Sequence, residues 1–370
     1  MSNLIFQTPA RFKDLESPDV KLWIATVRLF TDNVSFIDRS GVIVAPIKTS
    51  THEINKIPML DPSFNMSFEE CVIDRVKEIY QQHLDFQIPI RIYWSGGIDS
   101  TTALLGFIDY LGISRAKEVI EIIMNHTTIM ENPSVWEKCI RGQGFKIINA
   151  SHFNETWDKK SLMVNGECGD QVQGSDLLKW LYIRYGADGF NRPWREDEIF
   201  NFVKDRSSSP VLLPSGIDDV TAKKITDILV NQINHAPMEF ESMARVLAWI
   251  NFSCKWCSTF YRIVTRSNFP VDEYTIKNYY FPFYASVNFQ QWAMKDNGEK
   301  HKGSWVTYKW AAKDYICKIL GDQGFQLKHR YASLIHILSH TPRCEAIDDQ
   351  FNFYDKIVPE DWYNPNNSFK

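Results

Sequence analysis

Seven consecutive residues, Ser95-Gly96-Gly97-Ile98-Asp99-Ser100-Thr101, hold much of the chemistry legible in this chain. They stand between an apolar run, IPIRIYW, and a stretch whose apolar residues recur at helical spacing. Glycines at such a junction clear the backbone of side chains, so that N–H groups can approach an anion. A helix start adds unpaired donors and partial positive charge. The hydroxyls of Ser95, Ser100 and Thr101 supply further donors. That combination suits a phosphate. Asp99 would repel one unless a cation lay between them, which argues for Mg²⁺ bridging the carboxylate to the phosphates. The loop has neither the lysine of the P-loop nor the dinucleotide fingerprint. An ordinary strand–helix turn with Asp99 as N-cap is the competing reading.

A second stretch, LMVNGECGDQVQGSD from Leu162 to Asp176, repeats the pattern of strand running into a Gly/Asp turn. If both strands belong to one parallel sheet, both turns fall at strand carboxyl ends, where ligands bind. Asp99 and Asp170 could then share one hard cation through oxygen ligands.

The elements that must position these residues follow from patterning. Ser67 with Glu70 is a capping-box signature, followed by Cys71, Val72, Val76, Ile79 and Tyr80 at helical spacing. After the strand IPIRIYW and the glycine loop, Ala103, Leu104, Phe107, Ile108 and Leu111 predict a helix that closes near Gly112. EVIEIIM, KIIN and SLMVN read as further strands, and Asn132-Pro133 as a helix start. Strands alternating with helices imply parallel pairing. KLWIATVRLF and SGVIVAPIKT are rich in β-branched and aromatic residues and predict a small antiparallel element. The expected fold is therefore α/β, a mainly parallel sheet flanked by helices, with a small β N-terminal region over 1–60 and a helical C-terminal half. A main domain spans 61–340, and 341–370 form an irregular polar and aromatic tail.

Composition bounds the function. A chain of 370 residues with 44% hydrophobic content can bury a sizeable core. A formal net charge of −4 argues against nucleic-acid binding through bulk charge, although a local basic patch stays open. The seven cysteines are odd in number and follow no framework spacing, which reads as reduced and cytoplasmic. Neither a signal peptide nor a membrane-spanning run is evident, so no membrane partner is expected.

The first motif resembles the pyrophosphate loop, Ser-Gly-Gly-x-Asp-Ser, of the ATP pyrophosphatase (PP-loop) superfamily, whose fold is adenine nucleotide α-hydrolase-like. The resemblance implies ATP cleavage between the α and β phosphates, with adenylation of a substrate oxygen. Gly166, Glu167, Asp170 and Gly174 of the second motif are similar to the Gly-Glu-Gly-x-Asp-Glu-x-x-x-Gly signature of the asparagine synthetase and β-lactam synthetase branch. Cys168 replaces its middle glycine and Gln171 its second acid. Pro282-Phe283 and the helix in YKWAAKDYICKIL are similar to two later segments of that branch. The acid found four residues before the proline falls on Asn278. Together these cover about residues 85–335.

The resemblance implies ATP and Mg²⁺ as cofactors, with Asp99 and Asp170 on the metal and the backbone near Ile123 and Met124 around adenine. It implies Ser95 to Thr101, with Gly166 and Glu167, around the nucleotide, and Lys309 clamping the departing pyrophosphate. The implied partners are a small-molecule carboxylate and an amine. Glutamine-using members carry a cysteine after the initiator Met and a glutaminase domain. Here Ser2 follows Met1, so ammonia is expected from a separate source. Two other classes stay open. One is a PP-loop enzyme adenylating a nucleobase or tRNA carbonyl, for which Cys168 is the cysteine nearest the site. The other is a nucleotide-binding protein without turnover.

Other motifs invite chemistry and read as structure. Cys254 and Cys257 share an apolar stripe with Phe240, Met243, Leu247, Ile250, Tyr261 and Val264, which predicts the core of one long helix rather than a zinc site. His126 stands either near the nucleotide or on the surface. HKGSWVTYK, with the polar segment before it, reads as a loop over ATP. On the helix after it, Trp310, Ala311, Tyr315, Ile316 and Ile319 supply the apolar surface, so Lys309 is expected to be dispensable for stability.

Overall fold

The computed structural model describes residues 17–30, 37–46, 56–150, 159–175, 177–207, 216–264, 272–295, 299–322 and 325–326. Five strands form one sheet: β1 (Ile90–Tyr93), β2 (Ile120–Met124), β3 (Lys146–Asn149), β4 (Leu162–Asn165) and β5 (Tyr280–Pro282). Their spatial order is β3-β2-β1-β4-β5 and every pairing is parallel. Helices flank the sheet, so the fold is α/β. β1, β2 and β4 are buried throughout, as expected of mostly apolar strands covered on both faces. One charged row crosses three strands. Arg91 lies opposite Glu121, which lies opposite Lys146, and Arg91 Nε donates to Glu121 at 2.6 Å.

The helix before β1, Phe68–Phe86, opens with the capping box expected from Ser67 and Glu70. Glu70 N–H donates to Ser67 Oγ at 3.2 Å, and Ser67 N–H to the Glu70 carboxylate at 2.7 Å. The helical segment after β1, Ile98–Val119, is broken at Gly112. Gly112, at φ 70° and ψ 153°, is non-helical and closes the first helical stretch as expected; a second stretch then runs on to β2. Asn132 caps a short turn as expected, accepting from Val135 N–H at 3.4 Å.

The first sixty residues are not β-rich where they are described. KLWIATVR lies in a helix, Pro18–Arg28. Its buried residues Val20, Trp23 and Val27 stand three and four apart, a helical spacing that prevails over their strand propensity. Pro18 at the first turn agrees with a helix start. Nor does SGVIVAPIKT form a strand over 40–46. The Asp38 carboxylate takes the N–H groups of Ser40 (2.9 Å), Val42 (3.1 Å) and Ile43 (2.8 Å), which a ladder would otherwise use. Residues 47–49 and the tail expected over 341–370 lie outside the described residues.

Two clusters of buried side chains underlie this architecture. One surrounds the sheet, with Ile92, Ile122 and Val164 at its centre. The other is helical, drawing Val27, Leu181, Phe202, Leu229 and Leu247 from five helices. No described helix is long and apolar enough to cross a membrane.

Cys254 and Cys257 are buried as expected, but on two helices rather than one, Met243–Cys254 and Trp256–Phe260. The break is at Lys255. Its carbonyl accepts from the hydroxyl of Ser258 at 2.8 Å, in competition with the helical ladder. Burial pushes the Cys257 thiol up to about 12, so it is not a thiolate at neutral pH. Elemental analysis is therefore expected to find no stoichiometric zinc. Cys257→Ser should cost about 1–3 kcal/mol in urea unfolding, the penalty for a buried hydroxyl without a partner. One zinc per chain, lost in that variant, would contradict this.

Candidate active site

The carboxyl ends of β1 and β4 are adjacent in the sheet, and the chain leaves them in opposite lateral directions. β1 leads to β2 and β3 on one side; β4 leads to β5 on the other. This is a topological switch point, the crevice where open parallel sheets bind ligands. Both Gly/Asp turns meet there. They wall a cleft together with Thr259, Arg262 and Lys309.

The loop after β1 is held from outside the cleft. Gly96 takes a φ of 76°, and a Cβ there would lie 2.5 Å from the Thr128 carbonyl oxygen. Asn132 Nδ2 donates to the Gly96 carbonyl and to Thr101 Oγ1, each at 3.3 Å. Trp94 Nε1 also donates to Thr101 Oγ1, at 3.0 Å. The Thr101 hydroxyl thus braces the loop instead of offering a donor to a ligand. Ser95 and Ser100 do face the cleft, with their hydroxyls 3.0 Å apart. Gly97 and Ile98 line it too. Gly97 is the N-cap of the following helix, which has no side-chain cap bond. Asp99 is therefore not a capping residue.

Asp99 and Asp170 converge on one cation. The Lys309 ammonium donates to Asp99 Oδ2 and lies 2.8 Å from Asp170 Oδ1. Two further donors join Lys309 there. Gln173 Nε2 reaches Asp99 Oδ1 at 3.0 Å, and the Tyr308 hydroxyl reaches Asp170 Oδ1 at 2.8 Å. Lys309 is only 2% exposed. It holds a left-handed backbone, φ 63° and ψ 39°, as the N-cap of the Trp310–Leu320 helix, a conformation that costs a non-glycine residue about 1–2 kcal/mol. The expectation that Lys309 is dispensable for stability is thus corrected: it neutralises two carboxylates at once.

The turn after β4 is built for close approach. A Cβ on Gly166 would lie 2.6 Å from the Ser100 nitrogen, and one on Gly169 would strike the Asp99 carboxylate. Glu167, 4% exposed, forms a bidentate pair with Arg262 at 2.6 and 2.7 Å. Burial pushes its carboxyl up, while the Arg262 guanidinium pulls the other way. Gln171 is spoken for on both sides. It donates to Asn251 Oδ1 at 3.3 Å and accepts from the Thr259 hydroxyl at 3.0 Å.

Not every candidate reaches the cleft. Ile123 and Met124 end β2 beside the loop, outside the cleft wall, and the Ile123 carbonyl already accepts from Trp94 N–H at 3.0 Å. Asn278 turns its amide back onto the Tyr274 carbonyl at 2.8 Å. The side chain of His126 lies outside the described residues. Gln173, Tyr308, Thr259 and Arg262 were not singled out in the sequence. The first two adjoin motif residues, whereas Thr259 and Arg262 carry no local signal.

Two carboxylates already gathered on one cation suit Mg²⁺, which takes one or two protein carboxylates and completes its shell with water and phosphate oxygens. No group of three or more His, Cys, Asp and Glu that could hold a metal occurs among the described residues, so ligands from a nucleotide would be needed. Compared with family models, curated proteins and solved structures, the chain gives no match.

Lys309→Ala leaves two carboxylates facing each other. Breaking a buried pair costs roughly 3–5 kcal/mol, and the partial exposure of both aspartates, 19% each, favours the lower end. Urea unfolding is expected to show that loss, with recovery when Asp170→Asn is added. An unchanged midpoint in the single variant would contradict the bridge.

Proposed function

We propose that this chain is an ATP-dependent ligase of the ATP pyrophosphatase type, similar to asparagine synthetase. In this reading it adenylates a carboxylate, releases pyrophosphate, and passes the acyl group to an amine or ammonia. The observation that carries it is the meeting of Asp99 and Asp170 on Lys309 at the topological switch point. Two details add support. Ser95, Gly97 and Ser100 line the cleft at a helix start, as a phosphate cradle would require. Cys168 holds a left-handed backbone, φ 66°, at the position where the resembled signature has glycine.

The residues divide the work by charge. Asp99 and Asp170 would hold Mg²⁺, which when bound with ATP would neutralise charge building on the leaving pyrophosphate. Lys309 then exchanges its carboxylate partners for phosphate oxygens and stabilises the same charge from the other side. Ser95 and Ser100 hydroxyls and the amides of the loop orient the phosphates. Glu167, tied to Arg262, keeps its carboxylate out of the phosphate path.

The reading that adenylates a nucleobase with the help of a thiol loses its nearest candidate. Burial pushes the Cys168 thiol well above its ordinary range, and its sulfur packs 3.8 Å from the Thr259 hydroxyl.

Incubation with ATP, Mg²⁺ and mixtures of carboxylic acids and amines is expected to yield AMP and pyrophosphate. Asp99→Asn should lower the rate by about a hundredfold or more, as removal of one charge-stabilising group typically does. ADP and phosphate as the main products would overturn the reading. Nucleotide binding with no AMP under any mixture would leave a binding protein in its place.

A further inference from the structure

A second, partly open cavity adjoins the cleft at Gln171. The Gly169–Val172 turn is the partition: Gly169, Asp170 and Gln171 line the cleft, while Gln171 and Val172 line the cavity. Opposite stands one face of the Met243–Cys254 helix. Arg245, Ala248, Trp249 and Phe252 follow one another at helical spacing, and all four line the space. Ala248 leaves the gap that its bulky neighbours frame. Leu178, Met238 and Phe240 close further walls.

Three observations define what the cavity would take. Its walls are largely apolar and aromatic. Its charged or titratable lining residues are Arg245, Lys300 and His301, with no carboxylate among the described ones. Trp249 is 2% exposed, yet its indole N–H has no hydrogen-bond partner among the described residues. A buried donor left unpaired is costly, so an acceptor oxygen brought in by a ligand would be favoured there.

We infer that this cavity binds an organic acid with an aromatic or branched apolar body. Arg245 attracts its negative charge and Trp249 Nε1 donates to one of its oxygens. That this acid is also the one adenylated rests on the function proposed above. The two spaces share Gln171, and Tyr308, whose hydroxyl is on Asp170, packs by the backbone of Gly174 on the cavity wall. A molecule seated here therefore has the carboxylate cluster as its neighbour.

The test titrates the full chain by calorimetry with indole-3-acetate, its neutral amide and the cationic tryptamine. Indole-3-acetate is expected to bind at least tenfold more tightly than the other two. Arg245→Gln should erase most of that preference. Ala248→Trp, which fills the space, should abolish binding while circular dichroism and thermal unfolding stay those of the parent. Equal binding of all three ligands, or undiminished binding to Ala248→Trp, would overturn the assignment. Pyrophosphate exchange into ATP separates this inference from the ligase reading. Exchange driven by small acids with an unchanged KM in Ala248→Trp would remove the cavity from the reaction and leave the ligase standing. Acid binding as described, with no exchange under any acid, would support the cavity and sink the ligase.

Discussion

One buried charge organises the centre of this molecule. Asp99 and Asp170 come from different turns and could not lie so close without a cation between them, because two carboxylates sharing a partly buried site repel strongly. Lys309 supplies that cation. Its position constrains much else. The backbone at Lys309 is left-handed, Tyr308 is turned onto Asp170, and Gln173 is drawn onto Asp99. A site satisfied in this way by its own lysine is also one that a metal–nucleotide pair could enter by exchange. Positive charge replaces positive charge at the aspartates, and phosphate oxygens replace aspartate at the lysine.

The sheet makes the convergence possible. With the order β3-β2-β1-β4-β5, the two Gly/Asp turns emerge side by side although a long stretch of chain separates them. Glycine at 166 and 169 lets the second turn press against the backbone and carboxylate of the first. The ion row through Arg91, Glu121 and Lys146 pairs residues directly opposite one another, which favours this register over a slipped one.

Much of this was legible in the sequence, for identifiable reasons. β1 to β4 are short apolar runs bounded by turn residues, and the capping box at Ser67 is a local signal read by local chemistry. Asp99 and Asp170 stood out because glycine, carboxylate and hydroxyl rarely share a strand–helix turn without purpose. What failed was decided by tertiary context. The Pro18–Arg28 helix contains strand-forming residues, but its apolar spacing fits a helical core. β5 has only three residues, too few for a pattern. The helix break at Lys255 depends on a hydroxyl three residues later. Lys309 was found through resemblance, yet its burial against both aspartates could not be foreseen from one solvated-looking loop. Arg262 and Thr259 reach the cleft from a distant helical region and leave no trace near either motif.

The central claim is that the aspartate pair is a metal–nucleotide site held shut by Lys309. Water-proton relaxation with Mn²⁺ in place of Mg²⁺ tests it directly. The expected result is weak enhancement with metal alone, strong enhancement once ATP is added, and loss of the ATP-dependent part in both Asp99→Asn and Asp170→Asn. Equal ATP-dependent enhancement in the parent and in both variants would contradict the account, because the metal would then bind without either aspartate.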